Sequence, residues 1–127
     1  MMHFPFHYGV SRGVMNHIIN NRLQSLINIT SSSQYYEDRT ASELAKGATF
    51  YTERNNNYGQ WILFNFTKNF IDLEGYSLTS DDVNEYPSYW KIEVSPDGFC
   101  WGLASNKINE TINATGKMYS TPLIHCL

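Results

Sequence analysis

Pro87-Ser88-Tyr89-Trp90-Lys91-Ile92-Glu93-Val94-Ser95-Pro96-Asp97-Gly98-Phe99-Cys100-Trp101 reads as a strand, a tight turn and the beginning of a returning strand. Trp90, Ile92 and Val94 fall on one face at period two, and Lys91, Glu93 and Ser95 fall on the other, the pattern of a half-buried antiparallel strand. The turn follows from its own residues. Ser95 can cap it, Pro96 pre-sets φ at the second position, Asp97 tolerates the third and Gly98 suits the fourth. The chain therefore reverses between two tryptophan-bearing segments.

Strands are expected around Ile27 to Ser32, Trp61 to Phe66, Tyr76 to Ser80, Tyr89 to Ser95 and Cys100 to Ala104. Trp61 to Phe66 is nearly continuous in apolar residues, so both of its faces are expected to be covered, as in the middle of a sandwich. Val14, Met15, Ile18, Ile19 and Leu23 recur at helical spacing behind Ser11, a candidate cap, and predict a short amphipathic helix over Arg12 to Leu23. Its apolar stripe is expected to pack on the domain's own sheet, with partner docking as the alternative. Several short strands without a second periodic helix point to an all-β fold, a β-sandwich of jelly-roll type.

The hairpin also resembles the discoidin family, the coagulation factor V/VIII type C domain, in which a tryptophan strand is followed by a Ser-x-Asp-Gly turn and a second tryptophan. Gly59-Gln60-Trp61-Ile62-Leu63-Phe64-Asn65-Phe66 is similar to the family's Gln-Trp strand, Gly75-Tyr76-Ser77-Leu78-Thr79-Ser80 to the strand after it, and Ile29-Thr30-Ser31-Ser32-Ser33 to its opening strand. Ala41 to Tyr51 takes the place of the loop before the tryptophan strand. The resemblance covers residues 28 to 107 and implies a galactose-binding-like jelly roll, of the version that occurs beside BTB modules in unicellular eukaryotes. On this reading residues 1–27 form an arm and short helix, and 28–127 the sandwich.

Three departures from the family qualify what it implies. Ala45 stands where members commonly place an Asp that helps to hold calcium, which argues against a metal site. Asn65 replaces the Asp before Phe66. The family's closing strands have no counterpart after Thr121-Pro122-Leu123-Ile124-His125-Cys126-Leu127, so the sandwich is expected to be truncated, with an open edge that invites self-association.

Composition narrows the functional classes. With 127 residues and 42% hydrophobic content, one small core is within reach, and a formal charge of -3 supplies no basic field for a nucleic-acid backbone. No apolar run is long enough to span a membrane. Met1 to Tyr8 lacks the basic head and apolar run of an export signal, and a cytoplasmic setting is expected. Cys100 and Cys126 are accordingly expected to be free thiols. Sequons stand at Asn28, Asn65, Asn109 and Asn113; in an Asn-rich chain they are read as chance occurrences, Asn65 the more so for lying in an expected core strand.

Catalytic patterns are missing from the sequence. His3, His7, His17 and His125 have no metal-ligand spacing, and His125 and Cys126 would point to opposite sides of a strand. No phosphate loop or nucleophile elbow is present. A non-enzymatic recognition module without a cofactor is expected, most simply an adaptor that docks a protein partner. A carbohydrate-binding module is the alternative, and a truncated remnant the third reading.

Recognition is expected on loops at one end of the sandwich. The segments are Tyr35 to Arg39, Leu44 to Thr49, Asn55 to Tyr58 and Asp81 to Tyr86, and the candidate ligand-binding residues are Tyr36, Glu37, Arg39, Asn57, Tyr58, Asp82, Glu85 and Tyr86. They combine aromatic faces, carboxylates, amides and a guanidinium. Sugar rings stack on such faces, and Tyr and Arg are equally the favoured anchors of protein interfaces. Asp81, Asp82 and Glu85 lack the spacing of a calcium loop and are read as solvated.

Overall fold

The computed structural model describes residues 13–53, 59–71, 73, 75–80, 86–112 and 117–121. Among the described residues, secondary structure is mostly short strands in three two-stranded antiparallel sheets, with little helix. The chain divides into two compact units, the first containing the described residues up to Ile71 and the second those from Leu73 onward. No described helix is long and apolar enough to cross a membrane.

The first unit is built on α1 (Val14–Asn20), β1 (Asn28–Ser31) and β2 (Ile62–Asn65), with a 3-10 helix at Ala41–Lys46. α1 is shorter than its periodic stripe, and its cap position is Gly13, with no side-chain cap bond; Ser11 and Arg12 lie outside the described residues. The helix stops because the chain turns left-handed at Arg22 (φ 55), where the Leu23 amide donates to the Ile18 carbonyl at 2.9 Å. This closing bond satisfies a carbonyl that a helix end otherwise leaves orphaned. Asn21 Nδ2 donates to the His17 carbonyl at 2.9 Å in the same way.

The stripe of α1 packs inward. Ile18 is fully buried and forms a core with Ile27, Ile29, Ala41 and Ala45, against which Val14, Met15, Leu23, Leu44, Phe50 and Phe66 pack. Ala41 and Ala45 bring the 3-10 helix close because neither side chain extends beyond Cβ. The segment expected as a loop over Ala41 to Tyr51 is thus in part helical, and it ends at Gly47 in the left-handed region.

β1 and β2 pair antiparallel with Ile29 opposite Phe64 and Asn28 opposite Asn65. Paired residues share a face, so Ile29 and Phe64 face the core while Asn28, Thr30, Leu63 and Asn65 lie on the other side. The expectation that Trp61 to Phe66 is covered on both faces is corrected here. Trp61 is 51% exposed and Phe64 41%, and Ile62, Leu63 and Asn65 are also exposed. On the far side the cause is that the Ile18 core reaches one side of the β1–β2 pair only; on the near side Phe66 packs on that core, whereas Ile62 and Phe64 are not among the side chains packed against it.

The second unit contains β3 (Gly75–Leu78), β4 (Trp90–Val94), β5 (Gly102–Lys107) and β6 (Lys117–Ser120). β3 pairs with β6 and β4 with β5. β4 alternates half-buried Trp90, Ile92 and Val94 with exposed Lys91 and Glu93, as its period demands. Ile92 opposes Ser105 while Glu93 opposes Leu103, so Ala104 is an extra residue in β5. This bulge explains why the adjacent Ala104 and Ser105 are both buried, which a regular strand does not allow.

The turn between β4 and β5 is held by its side chains. Ser95 Oγ accepts from the Gly98 amide at 2.7 Å, and Asp97 Oδ1 accepts from the Phe99 and Cys100 amides at 2.8 and 3.0 Å. These two amides, Cys100's first, hold the Asp97 carboxyl below its ordinary pKa. Gly98 takes φ 85, where a side chain is strained. Trp101, at the start of the returning segment, is 46% exposed. Cys100 is disulfide-bonded, which corrects the expectation of a free thiol there. The other cysteine of the sequence, Cys126, lies outside the described residues.

Candidate functional site

Among the expected loop residues, Tyr36, Glu37 and Arg39 fall in the described part of the first unit, and Tyr86 in that of the second. Asn57, Tyr58, Asp82 and Glu85 lie outside the described residues. The arrangement that the structure resolves in most detail is therefore the Tyr35–Arg39 loop.

Its foundation is the serine run after β1. Ser32 Oγ and Ser33 Oγ both donate to Gln60 Oε1, at 2.7 and 2.6 Å. Ser32 Oγ accepts from the Trp61 amide at 2.9 Å, and Ser33 Oγ accepts from the Glu53 amide at 3.0 Å. Ser31 Oγ donates to the Ser33 carbonyl at 2.9 Å. Three chain segments are thereby joined through hydroxyls, each of which can donate once and accept twice.

On this foundation Gln34 Nε2 donates to the Tyr36 and Glu37 carbonyls at 3.0 and 2.8 Å, and the Tyr35 amide donates to the Tyr51 carbonyl at 2.9 Å. The result is an aromatic cluster. Tyr35 and Tyr36 meet edge to face at 4.8 Å and 89°, Tyr36 and Tyr51 at 6.2 Å and 75°. The Arg39 guanidinium lies over the Tyr36 ring, 5.2 Å from its centre. Tyr35 is 44% and Tyr36 45% exposed. Glu37 and Asp38 are exposed beside them.

Such a surface offers aromatic area at low entropic cost, with a delocalised cation fixed against one ring. Tyr36 and Arg39, expected as site residues, are brought together; Glu37 is adjacent in sequence but enters no ring contact described here. Tyr51 was not among the expected residues. Its signal is the dipeptide Phe50-Tyr51, because adjacent side chains of an extended segment point to opposite sides, and Phe50 packs on the core.

The second unit carries an inner polar network and an outer apolar set. Tyr76 and Tyr119 are cross-strand partners with stacked rings at 5.2 Å, and Trp90 meets Tyr119 edge-on at 5.5 Å. Tyr119 donates to Glu110 Oε2 at 3.2 Å, and Lys107 Nζ lies 5.3 Å from its ring centre. Burial, then Glu110, raises the pKa of Tyr119. Outside, Phe99 is 92% exposed and Leu103 53%. Among the described residues, no three His, Cys, Asp or Glu side chains gather as metal ligands.

Compared with protein-family models, with curated proteins and with solved structures, the chain matches none.

Proposed function

We propose that this chain is a non-catalytic recognition module, discoidin-like in its jelly-roll class, that docks a protein partner on the surface formed by Tyr35, Tyr36, Arg39 and Tyr51. The observation that carries this reading is the Arg39 guanidinium seated over Tyr36, with two further tyrosine rings edge-on to the same cluster. Tyr and Arg dominate the energetic centres of protein interfaces, and a rigid aromatic anchor loses little freedom on binding. The discoidin-like reading draws on the sequence order of the resembling segments and on the turn from Ser95 to Gly98. The cytoplasmic setting and the disulfide at Cys100 pull apart, because such bonds persist in oxidising compartments. The disulfide weighs against the cytoplasmic setting, and docking on the tyrosine surface does not require that setting.

The test is affinity capture with the Tyr36→Ala/Arg39→Ala double variant beside the wild type, after circular dichroism verifies folding. At least a tenfold loss of partner binding is expected from removing two central anchors. Undiminished binding by the folded variant removes this surface from the function. A carbohydrate-binding module is the second reading, favoured by exposed Tyr35 and Tyr36 rings beside the carboxylates of Glu37 and Asp38. Saturable, Tyr36-dependent binding on a glycan array would put it first.

A further inference from the structure

We propose that Asn65 and Asn109 are N-glycosylation acceptors. All four sequons of the chain end in threonine: Asn28-Ile29-Thr30, Asn65-Phe66-Thr67, Asn109-Glu110-Thr111 and Asn113-Ala114-Thr115. Thirteen asparagines and nine threonines in 127 residues give about one Asn-x-Thr by composition, so four exceed what an Asn-rich chain produces unaided.

Position agrees with the excess. Asn28, Asn65 and Asn109 are exposed, as are Thr30, Thr67 and Thr111. Asn65 is not in a core strand; it ends β2 on the side of the sheet away from the Ile18 core, two residues from exposed Leu63 on the same face. Asn65 leads into a turn in which Thr67 takes φ 49, and Asn109 itself takes φ 55. Asn65 Oδ1 accepts from the Thr67 amide at 2.9 Å, and Asn109 Oδ1 accepts from the Tyr89 hydroxyl at 2.6 Å. In each case the bond uses the amide oxygen and not Nδ2, the atom that receives sugar. Asn28 faces Asn65 directly across the strands, about 5 Å away, where two branched sugars crowd each other, so one acceptor is assigned to that pair.

The disulfide at Cys100 is the independent observation. Such a bond persists in the oxidising compartments where oligosaccharide is transferred to protein, and so agrees with the assignment. In the transfer, Nδ2 attacks the anomeric carbon of a lipid-diphosphate-linked oligosaccharide. The new carbon–nitrogen bond forms as the bond from that carbon to the diphosphate oxygen breaks. The lipid diphosphate leaves with the electron pair, and Nδ2 gives up one proton. On Asn65 the sugar would stand over Leu63, covering apolar surface that the fold leaves in water.

The full chain, purified from the cells that make it, is treated with peptide-N-glycosidase in 18O-water and digested with trypsin. Conversion of Asn to heavy-oxygen Asp is expected at Asn65 in the peptide Asn55 to Lys68, and at Asn109 in the peptide Ile108 to Lys117. Asn65→Gln and Thr67→Ala are each expected to remove one step of gel mobility, and Thr67→Ser to retain it. Unconverted asparagine at both positions overturns the proposal, as does conversion confined to Asn28 or Asn113. Should the Asn65 variants not accumulate, the peptide assay on the unaltered chain decides alone.

Discussion

Trp90 Nε1 donates to the Tyr76 hydroxyl at 2.7 Å, and the same hydroxyl is bonded to Ser105 Oγ at 2.6 Å. One oxygen therefore joins the β3–β6 sheet to both strands of the β4–β5 sheet. Trp90 also supplies an edge to Tyr119. Trp90→Ala is expected to destabilise the chain by about 3 kcal/mol, at the lower end for a large aromatic because Trp90 is half-buried. Trp90→Phe keeps a six-membered ring but loses the bond and the pyrrole part of the indole, at about 1 to 2 kcal/mol. Urea denaturation checks both, and equal losses would mean that packing contributes nothing beyond the bond.

Among the described residues, Ile18 is the side chain with no exposure at all, and it is surrounded by Ile27, Ile29, Ala41 and Ala45. Ile18→Ala leaves a cavity among elements that cannot all collapse, and about 3 to 4 kcal/mol is expected to be lost. Ile18→Val removes one methylene for about 1 kcal/mol. A loss below 1 kcal/mol for the alanine variant would show that α1 is not held to this core.

Gly47 and Arg22 occupy the same kind of corner with opposite suitability. Both lie in the left-handed region, at φ 82 and 55, and both end a helical segment. A Cβ on Gly47 meets Ile19 Cγ2 at an ordinary 3.5 Å, so Gly47→Ala pays only for backbone strain, about 1 kcal/mol. Arg22→Gly relieves that strain, less the entropy that glycine gains when unfolded, and is expected to stabilise by about 0.5 kcal/mol. Melting curves should therefore move in opposite directions.

Tyr119 sets an alkaline limit. Its pKa is raised above the ordinary 10.0 by burial and by Glu110, so the fold favours the neutral phenol. The stability this contributes is whole below pH 10 and is lost as pH rises through the raised value. Asp97 has the opposite sign: its lowered pKa adds stability above its ordinary 3.8 that disappears as pH falls through the folded value. Denaturation midpoints taken from neutral pH upward should fall for the wild type and fall less for Tyr119→Phe.

What the sequence made legible was local. The turn from Ser95 to Gly98 and the alternation of Trp90, Ile92 and Val94 depend on residues within a few positions of each other, and both are present as read. β6 escaped notice because Lys117-Met118-Tyr119-Ser120 is short and has no alternating pattern; its pairing is decided by β3, far away in sequence. The continuous apolar run at Trp61 to Phe66 was misleading, since a strand's composition does not count its neighbours. The Cys100 bond depends on a tertiary approach that no local pattern reports. At the candidate site, Tyr36 and Arg39 stood out as loop residues of binding type, whereas Tyr51 is brought there by tertiary contacts, among them the bond from the Tyr35 amide and the edge-to-face contact with Tyr36.

The serine and glutamine bonds that shape the tyrosine surface have a dynamic consequence. They are polar bonds at exposed or half-buried positions, each replaceable by water at small net cost, and none of their side chains belongs to the Ile18 core. The loop can therefore open by local fluctuation while the core remains closed. Amide exchange at Tyr35 should be fast and insensitive to low urea, whereas the amide of Leu23, bonded at the end of α1, should exchange only with larger openings. A partner that binds the tyrosine surface would then be recognised by its slowing of Tyr35 exchange by more than the general stabilisation that binding gives to the Leu23 amide.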